Sequence, residues 1–117
     1  IGTVIAENAS LAGASGGCQA EIGSASAMAA GALASLQGGD AETIMHAAAL
    51  ALKNMLGLVC DPVAGLVEVP CIKRNSCGAV NAVTSAQLAL AGIAHAKSPV
   101  NEYFNFNPGF HSSFYLF

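Results

Sequence analysis

Four thiols are the reactive groups of this chain: Cys18, Cys60, Cys71 and Cys77. Two of them bound the stretch CDPVAGLVEVPC, and each stands beside a proline turn. Cys60 precedes Asp61-Pro62, and Cys71 follows Pro70. Proline fixes its own φ and restricts the residue before it, so both thiols sit at stiff backbone. Cys18 follows Gly16-Gly17. The separations along the chain are 42, 11 and 6 positions. Structural zinc sites use closely paired ligands, and no such pair exists here. Nor does the chain begin with a basic stretch leading into an apolar run, so no signal peptide is read. The expected compartment is the cytoplasm, where thiols stay reduced and a disulfide framework is not expected. Two readings of the thiols then stand side by side. They are small buried hydrophobes, or they are thiolate ligands of an iron–sulfur site built from separate loops.

The elements that must position these thiols read as helices. The chain has 117 residues, which suits one domain with its own core. Hydrophobic residues make up 54% and charged residues 9%. An ordinary soluble surface carries far more charge, so a partner domain or an oligomer is expected to cover part of this one. Gly, Ser, Asn, Asp or His interrupts every apolar run before it reaches about 20 residues, which argues against a membrane span. The net charge of −3, with only four Lys and Arg, argues against nucleic acid.

The sequence predicts an all-α fold, a bundle of three to five helices packed through small residues, with cysteines in the loops. A weak helix is expected over residues 3–12, ended by GASGG. A first long helix is expected from about Gln19 to Leu36, opened by Cys18. Gly38 stops it in the left-handed conformation. Asp40 caps the next helix, which runs from Ala41 to about Leu56, with Glu42 in its first turn. His46 lies on that helix's polar stripe and reads as a packing residue. A third helix is expected from about Cys77 to Gly92, capped by Asn75. Cys60 and Cys71 then fall in the loop between the second and third helices. No period-two alternation persists long enough to predict a strand. The five Phe and two Tyr all lie in the last 15 residues. That change of composition divides a body, residues 1–97, from an aromatic-rich tail, residues 98–117.

Three segments carry a resemblance: IAENASLAGASGGCQAEIGSASAMAAGAL, ALKNMLGLVCDPVAGLVEVPCIKRN and GAVNAVTSAQLALAGI. In order and separation they resemble the later half of the α region of bacterial iron–sulfur-dependent L-serine dehydratases, over about residues 1–93. The resemblance implies a [4Fe–4S] cluster held by Cys18, Cys60 and Cys71. Cys77 falls outside that ligand pattern and is assigned to packing, with a fourth-ligand role as the alternative. Three protein ligands would leave one iron with an open position for the 3-hydroxyl of L-serine. A base takes the α-proton, and the aminoacrylate that remains tautomerises and hydrolyses to pyruvate and ammonia. Four thiolates would close the cluster and suit electron transfer instead.

The nearby polar residues carry weaker expectations. Glu21 and Asp61 are candidate catalytic groups; the alternatives are a helix-start carboxylate and a loop turn. Arg74 and Asn75 are candidate substrate-binding groups, Arg74 through its bidentate fork. The alternatives are a solvated charge and a helix cap. Asn8 and Asn81 sit in apolar surroundings and are expected to find structural hydrogen bonds. The resemblance also implies a segment of a longer enzyme. Its partners would be the rest of the α domain, a β domain or chain, and further copies in a homo- or hetero-oligomer. The opposing reading is a non-catalytic helical module that binds a metal or a partner.

Overall fold

A computed structural model describes residues 1–66 and 69–94. The fold is all-α, as the composition and periodicity predict. Helix α1 spans Gly2–Asn8 and α2 spans Gly13–Gly16. A π-helical turn over Gln19–Gly23 runs directly into α3, Ser24–Leu36. Helices α4, Ala41–Asn54, and α5, Val69–Leu90, complete the described chain.

Helices α3, α4 and α5 pack against one another and form the core. Its centre is almost entirely alanine: Ala30, Ala34, Ala47, Ala51, Ala82, Ala86 and Ala89. Side chains this short let backbones approach closely and still fill space. Ile5 of α1 joins Ala27, Ala48 and Leu52 in a second cluster beside it. The close packing leaves no room for growth at Gly78, where a Cβ would lie 2.7 Å from Ile22 Cγ2.

The α3–α4 corner follows from local chemistry. Gly38 takes φ +84°, and the Gly39 N–H donates back to the Ala34 carbonyl at 2.9 Å. That is the six-to-one bond of a helix stop. Asp40 accepts a hydrogen bond from the Thr43 N–H at 2.8 Å and so caps α4. A hydrogen bond from the Thr43 side chain, together with this backbone bond, holds the Asp40 carboxyl below its ordinary range. A depressed pKa makes the cap fully effective above the ordinary carboxylate range and loses it as pH falls through the lowered value. Asp40→Ala is therefore expected to lower the melting temperature by a few degrees at pH 7. At about pH 2 the difference from wild type should vanish. Thermal melts at the two pH values check this.

One polar residue knits the three core helices together. Asn81 Nδ2 donates to Ser26 Oγ on α3 and to the Ala51 carbonyl on α4, both at 2.8 Å. Asn54 Nδ2 donates to Asn81 Oδ1 at 2.8 Å, and Ser85 Oγ lies 3.3 Å from the same oxygen. Ser26 Oγ in turn donates to the Gly78 carbonyl at 2.8 Å. Every polar atom of the Asn81 amide is engaged, as burial demands. Asn81→Ala is expected to cost about 2 kcal/mol, read as a lower urea midpoint at unchanged slope. Asn8, by contrast, is exposed and donates to the Val4 carbonyl of its own helix.

Several sequence expectations shift, among them the place of Cys71, which lies inside α5 and not in the loop before it, because that helix starts earlier than expected. The GASG segment forms α2 instead of merely ending α1. Helix α5 begins at Val69, eight residues before the expected start at Cys77. Pro70 is no obstacle there, because the first helical turn needs no intrahelical N–H donors. Asn75 is consequently inside the helix and caps nothing; its Nδ2 donates to the Cys71 carbonyl one turn back, at 2.9 Å. Cys77 also lies within α5 and is exposed, so it is not a packing residue. The aromatic-rich tail, residues 98–117, lies outside the described residues, as do His95 and His111. Among the described residues, no helix is long and apolar enough to cross a membrane.

Candidate functional site

The site begins where the chain enters the π-helical turn. Gly17 takes φ +76° and ψ 176°, a conformation essentially restricted to glycine. It has to, because the loop after α4 passes directly over it. A Cβ on Gly17 would lie 2.7 Å from the Leu58 carbonyl oxygen and 3.5 Å from the Cys60 nitrogen. Two hydrogen bonds fasten this crossing. The Gln19 N–H donates to the Leu58 carbonyl at 3.0 Å, and the Gly57 N–H donates to Gln19 Oε1 at 3.0 Å. The segment GGCQ is thus a dock for the Cys60 loop.

The two helix-borne thiols meet above this dock. Cys18, 2% exposed, lies just before the π-helical turn. Its Sγ is 3.7 Å from Cys71 Sγ, in the first turn of α5. Cys60 is half-buried in the intervening loop, and its charge acts on Cys71. Desolvation pushes the Cys71 thiol above its ordinary range. The hydrogen bond with Cys18 and the charges of Cys18 and Cys60 add to this, while Arg74 opposes it. All four cysteines are free of disulfides.

Among the described residues, Arg74 is the cation hydrogen-bonded to these thiols. It lies one turn beyond Cys71 on α5, with its side chain 22% exposed. Its guanidinium forms a two-pronged pair with Asp61, whose side chain is 47% exposed; the Nη2–Oδ2 arm measures 2.9 Å. Nη1 also donates to the Val59 carbonyl at 3.0 Å and to Cys18 Sγ at 3.4 Å. Asp61 is the main reason the guanidinium is held protonated beyond its ordinary range. One side chain therefore ties the Cys60 loop, helix α5 and the Cys18 sulfur together.

The structure brings five of the seven candidate site residues into this cluster: Cys18, Cys60, Cys71, Asp61 and Arg74. Asn75 backs it through the Cys71 carbonyl. Glu21 is exposed in the first turn, with its carboxylate lying over Gly13 at the start of α2. Among the described residues, no hydrogen bond joins Glu21 to the thiols. His46 belongs elsewhere. Its side chain is 15% exposed on α4, with Nε2 3.6 Å from Glu42 Oε1. The sequence does not reveal that Gln19 and Gly17 dock the Cys60 loop. It also hides the Arg74–Asp61 pair, because the two residues are 13 apart and join only through the fold.

Among the described residues, no three Cys, His, Asp or Glu side chains close on one point fit for a single metal ion. The donor set is nevertheless all sulfur, which suits soft metals and iron–sulfur clusters. A cluster of several irons offers each thiolate its own attachment point. Two thiols in contact, with the Cys60 loop docked beside them, are sulfur donors of the kind such a group takes.

Comparison with known proteins gives a consistent answer. The family model for the serine dehydratase alpha chain matches residues 1–104. The probable L-serine dehydratase alpha chain of Bacillus subtilis (strain 168) is 61% identical over 101 residues, which are 86% of this chain and 33% of that protein. The corresponding Latilactobacillus sakei protein is 59% identical over 101 residues, 86% of this chain and 48% of that one. The L-serine dehydratase alpha chain of Peptoniphilus asaccharolyticus is 60% identical over 93 residues, 80% of this chain and 32% of that one. The chain thus spans about a third to a half of the length of these curated relatives. On the extent of the family match and the identity of these relatives, the chain belongs to the serine dehydratase alpha chain family.

Proposed function

We propose that this chain is the cluster-holding part of an L-serine dehydratase, a lyase that converts L-serine to pyruvate and ammonia. The convergence of Cys18, Cys60 and Cys71 at one place carries the reading. Cys18 and Cys71, 53 residues apart, meet through their sulfurs, and the Cys60 loop is docked beside them. The relatives' names supply the substrate.

Cys18, Cys60 and Cys71 would hold a [4Fe–4S] cluster as thiolates. Bound there, the cluster would supply Lewis acidity toward the serine 3-hydroxyl. The chain's own contribution is geometric and electrostatic. Gly17 and Gln19 hold the Cys60 loop against the Cys18 segment. The first turn of α5 presents Cys71 to the Cys18 sulfur. Because the Cys71 thiol is pushed up in the free chain, metal binding must displace a proton from it. The buried position of Cys18 shields that sulfur from water.

The partners follow from the surface. Val59, Val63, Leu66, Val69 and Ile72, in or beside the thiol-bearing loop in sequence, are all exposed. An apolar patch of this kind marks a contact surface. The rest of the α domain and a β domain or chain of the same enzyme are its proposed cover, within an oligomer. Free thiols suit a reducing cytoplasm.

Anaerobic reconstitution with iron and sulfide tests the reading. The expected result is about four irons per chain and a reduced-state EPR spectrum that shifts on adding L-serine but not D-serine. A chain that takes up no iron would overturn the cluster assignment. A cluster indifferent to L-serine would overturn the substrate assignment.

A further inference from the structure

We propose that Cys18 and Cys71 form a reversible disulfide in the metal-free chain, and that this bond and the cluster compete for the same two sulfurs. The bond rests on geometry alone, and the competition rests on the proposed function. Cys18 Sγ lies 3.7 Å from Cys71 Sγ, across 53 positions of sequence. Among the described residues, no other two sulfurs come within hydrogen-bonding distance. A disulfide bond measures about 2.0 Å, so the pair needs a small closing movement and no rearrangement of helices. Packed elements hold both partners. Cys18 opens the π-helical turn, Cys71 lies in the first turn of α5, and α5 packs against that π-helical turn. Cys77 is no rival for Cys71, because it stands six residues along the same helix on another face.

The two partners differ in access, and that sets the order of events. Cys71 is half-buried and Cys18 is buried. A low-molecular-weight disulfide such as oxidised glutathione therefore meets Cys71 first. The Cys71 sulfur bonds to one sulfur of the oxidant, the oxidant's own S–S bond breaks, and one glutathione leaves as a thiol. The Cys18 sulfur then displaces the second glutathione from Cys71. One disulfide is exchanged for another: the two cysteines give up two electrons and two protons, and two glutathione thiols carry them away. Cys18 never has to meet the oxidant, because the sulfur it attacks is already its neighbour. A cysteine without such a neighbour keeps its adduct or climbs to sulfinic and sulfonic acids, which do not return. The Cys18–Cys71 bond holds a chain that has lost its cluster in a form that a thiol reductant restores. Transient bonds of this kind are the usual use of disulfides in a reducing compartment.

The test equilibrates the metal-free chain anaerobically with glutathione couples of increasing oxidised fraction. Acid stops the exchange, the chain is unfolded in N-ethylmaleimide, and a digest without reductant is read by mass spectrometry. Unfolding before blocking makes buried and exposed thiols equally readable. The Cys18–Cys71 link should exceed every other linked pair by about tenfold or more. Cys77→Ser should leave that link unchanged, and Cys18→Ser should leave Cys71 carrying glutathione. Predominance of a Cys60–Cys71 link, glutathione persisting on Cys71 of the wild-type chain, or a chain still fully reduced in oxidised glutathione alone would each overturn the bond. The competition is read on the reconstituted chain. It should show no Cys18–Cys71 link in the same couples until a chelator removes its iron, and equal linking with and without iron overturns the competition. A wild-type chain that takes up no iron overturns the cluster reading and the competition together, while the linkage map of the metal-free chain still decides the bond.

Discussion

Replacing Cys18, Cys60 or Cys71 by serine is expected to abolish iron and sulfide retention after anaerobic reconstitution, while Cys77→Ser retains both in full. The two outcomes follow from position. Cys18 and Cys71 touch through their sulfurs, and Cys60 sits in the loop docked beside them. Cys77 lies six residues beyond Cys71 on the same helix, about two-thirds of a turn around its axis, and is exposed. A hydroxyl replaces a thiol with little change in shape but binds iron far more weakly than a thiolate. Analysis of iron and acid-labile sulfide per chain reads the result, and far-ultraviolet circular dichroism checks that each variant stays helical. If Cys77→Ser stripped iron as completely as Cys60→Ser, the three-ligand set would be wrong and the site would be a closed, four-thiolate one.

Gly17→Ala should damage both stability and cluster retention, although it touches no candidate ligand. A non-glycine residue at φ +76° and ψ 176° costs about 1–3 kcal/mol in backbone strain. The added Cβ would also lie 2.7 Å from the Leu58 carbonyl oxygen and 3.3 Å from Val59 Cα. These are backbone atoms and cannot step aside as a flexible side chain can. The loop must lift, and Cys60 lifts with it. The expected result is a melting temperature lower by roughly 5–15 °C together with a marked loss of bound iron. Gly38→Ala supplies the control. Gly38 has a similar φ of +84°, but nothing lies within 4 Å of the position of its Cβ. That variant should lose about 1 kcal/mol and keep its iron. Normal iron retention by Gly17→Ala would show that the loop crossing does not position Cys60.

The sources of these two predictions differ in how far the sequence reveals them. The cysteines can be read from the chain alone, because their proline and glycine neighbours announce rigid backbone and their order resembles a known family. The corner at Gly38 and the cap at Asp40 can be read too, since both depend on residues within six positions of each other. The start of α5 cannot. Pro70 and the lysine–arginine pair Lys73-Arg74 look like loop chemistry, yet a proline in a first turn costs a helix nothing. Reading the segment as a loop placed Asn75 at a cap and Cys77 at a helix start; both are inside α5.

By itself the sequence determined the helical class, the alanine-packed core, the two local helix boundaries around Gly38 and the identity of the thiols. These depend on short-range backbone preference and side-chain size, which each residue carries wherever it lies. Only the tertiary structure decided that Arg74 reaches Asp61 and Cys18 at once, that Gln19 ties down the Cys60 loop, and that Asn81 joins three helices. Each is a contact between segments distant in sequence, and such contacts exist only once α3, α4 and α5 have packed at separations set by their alanines.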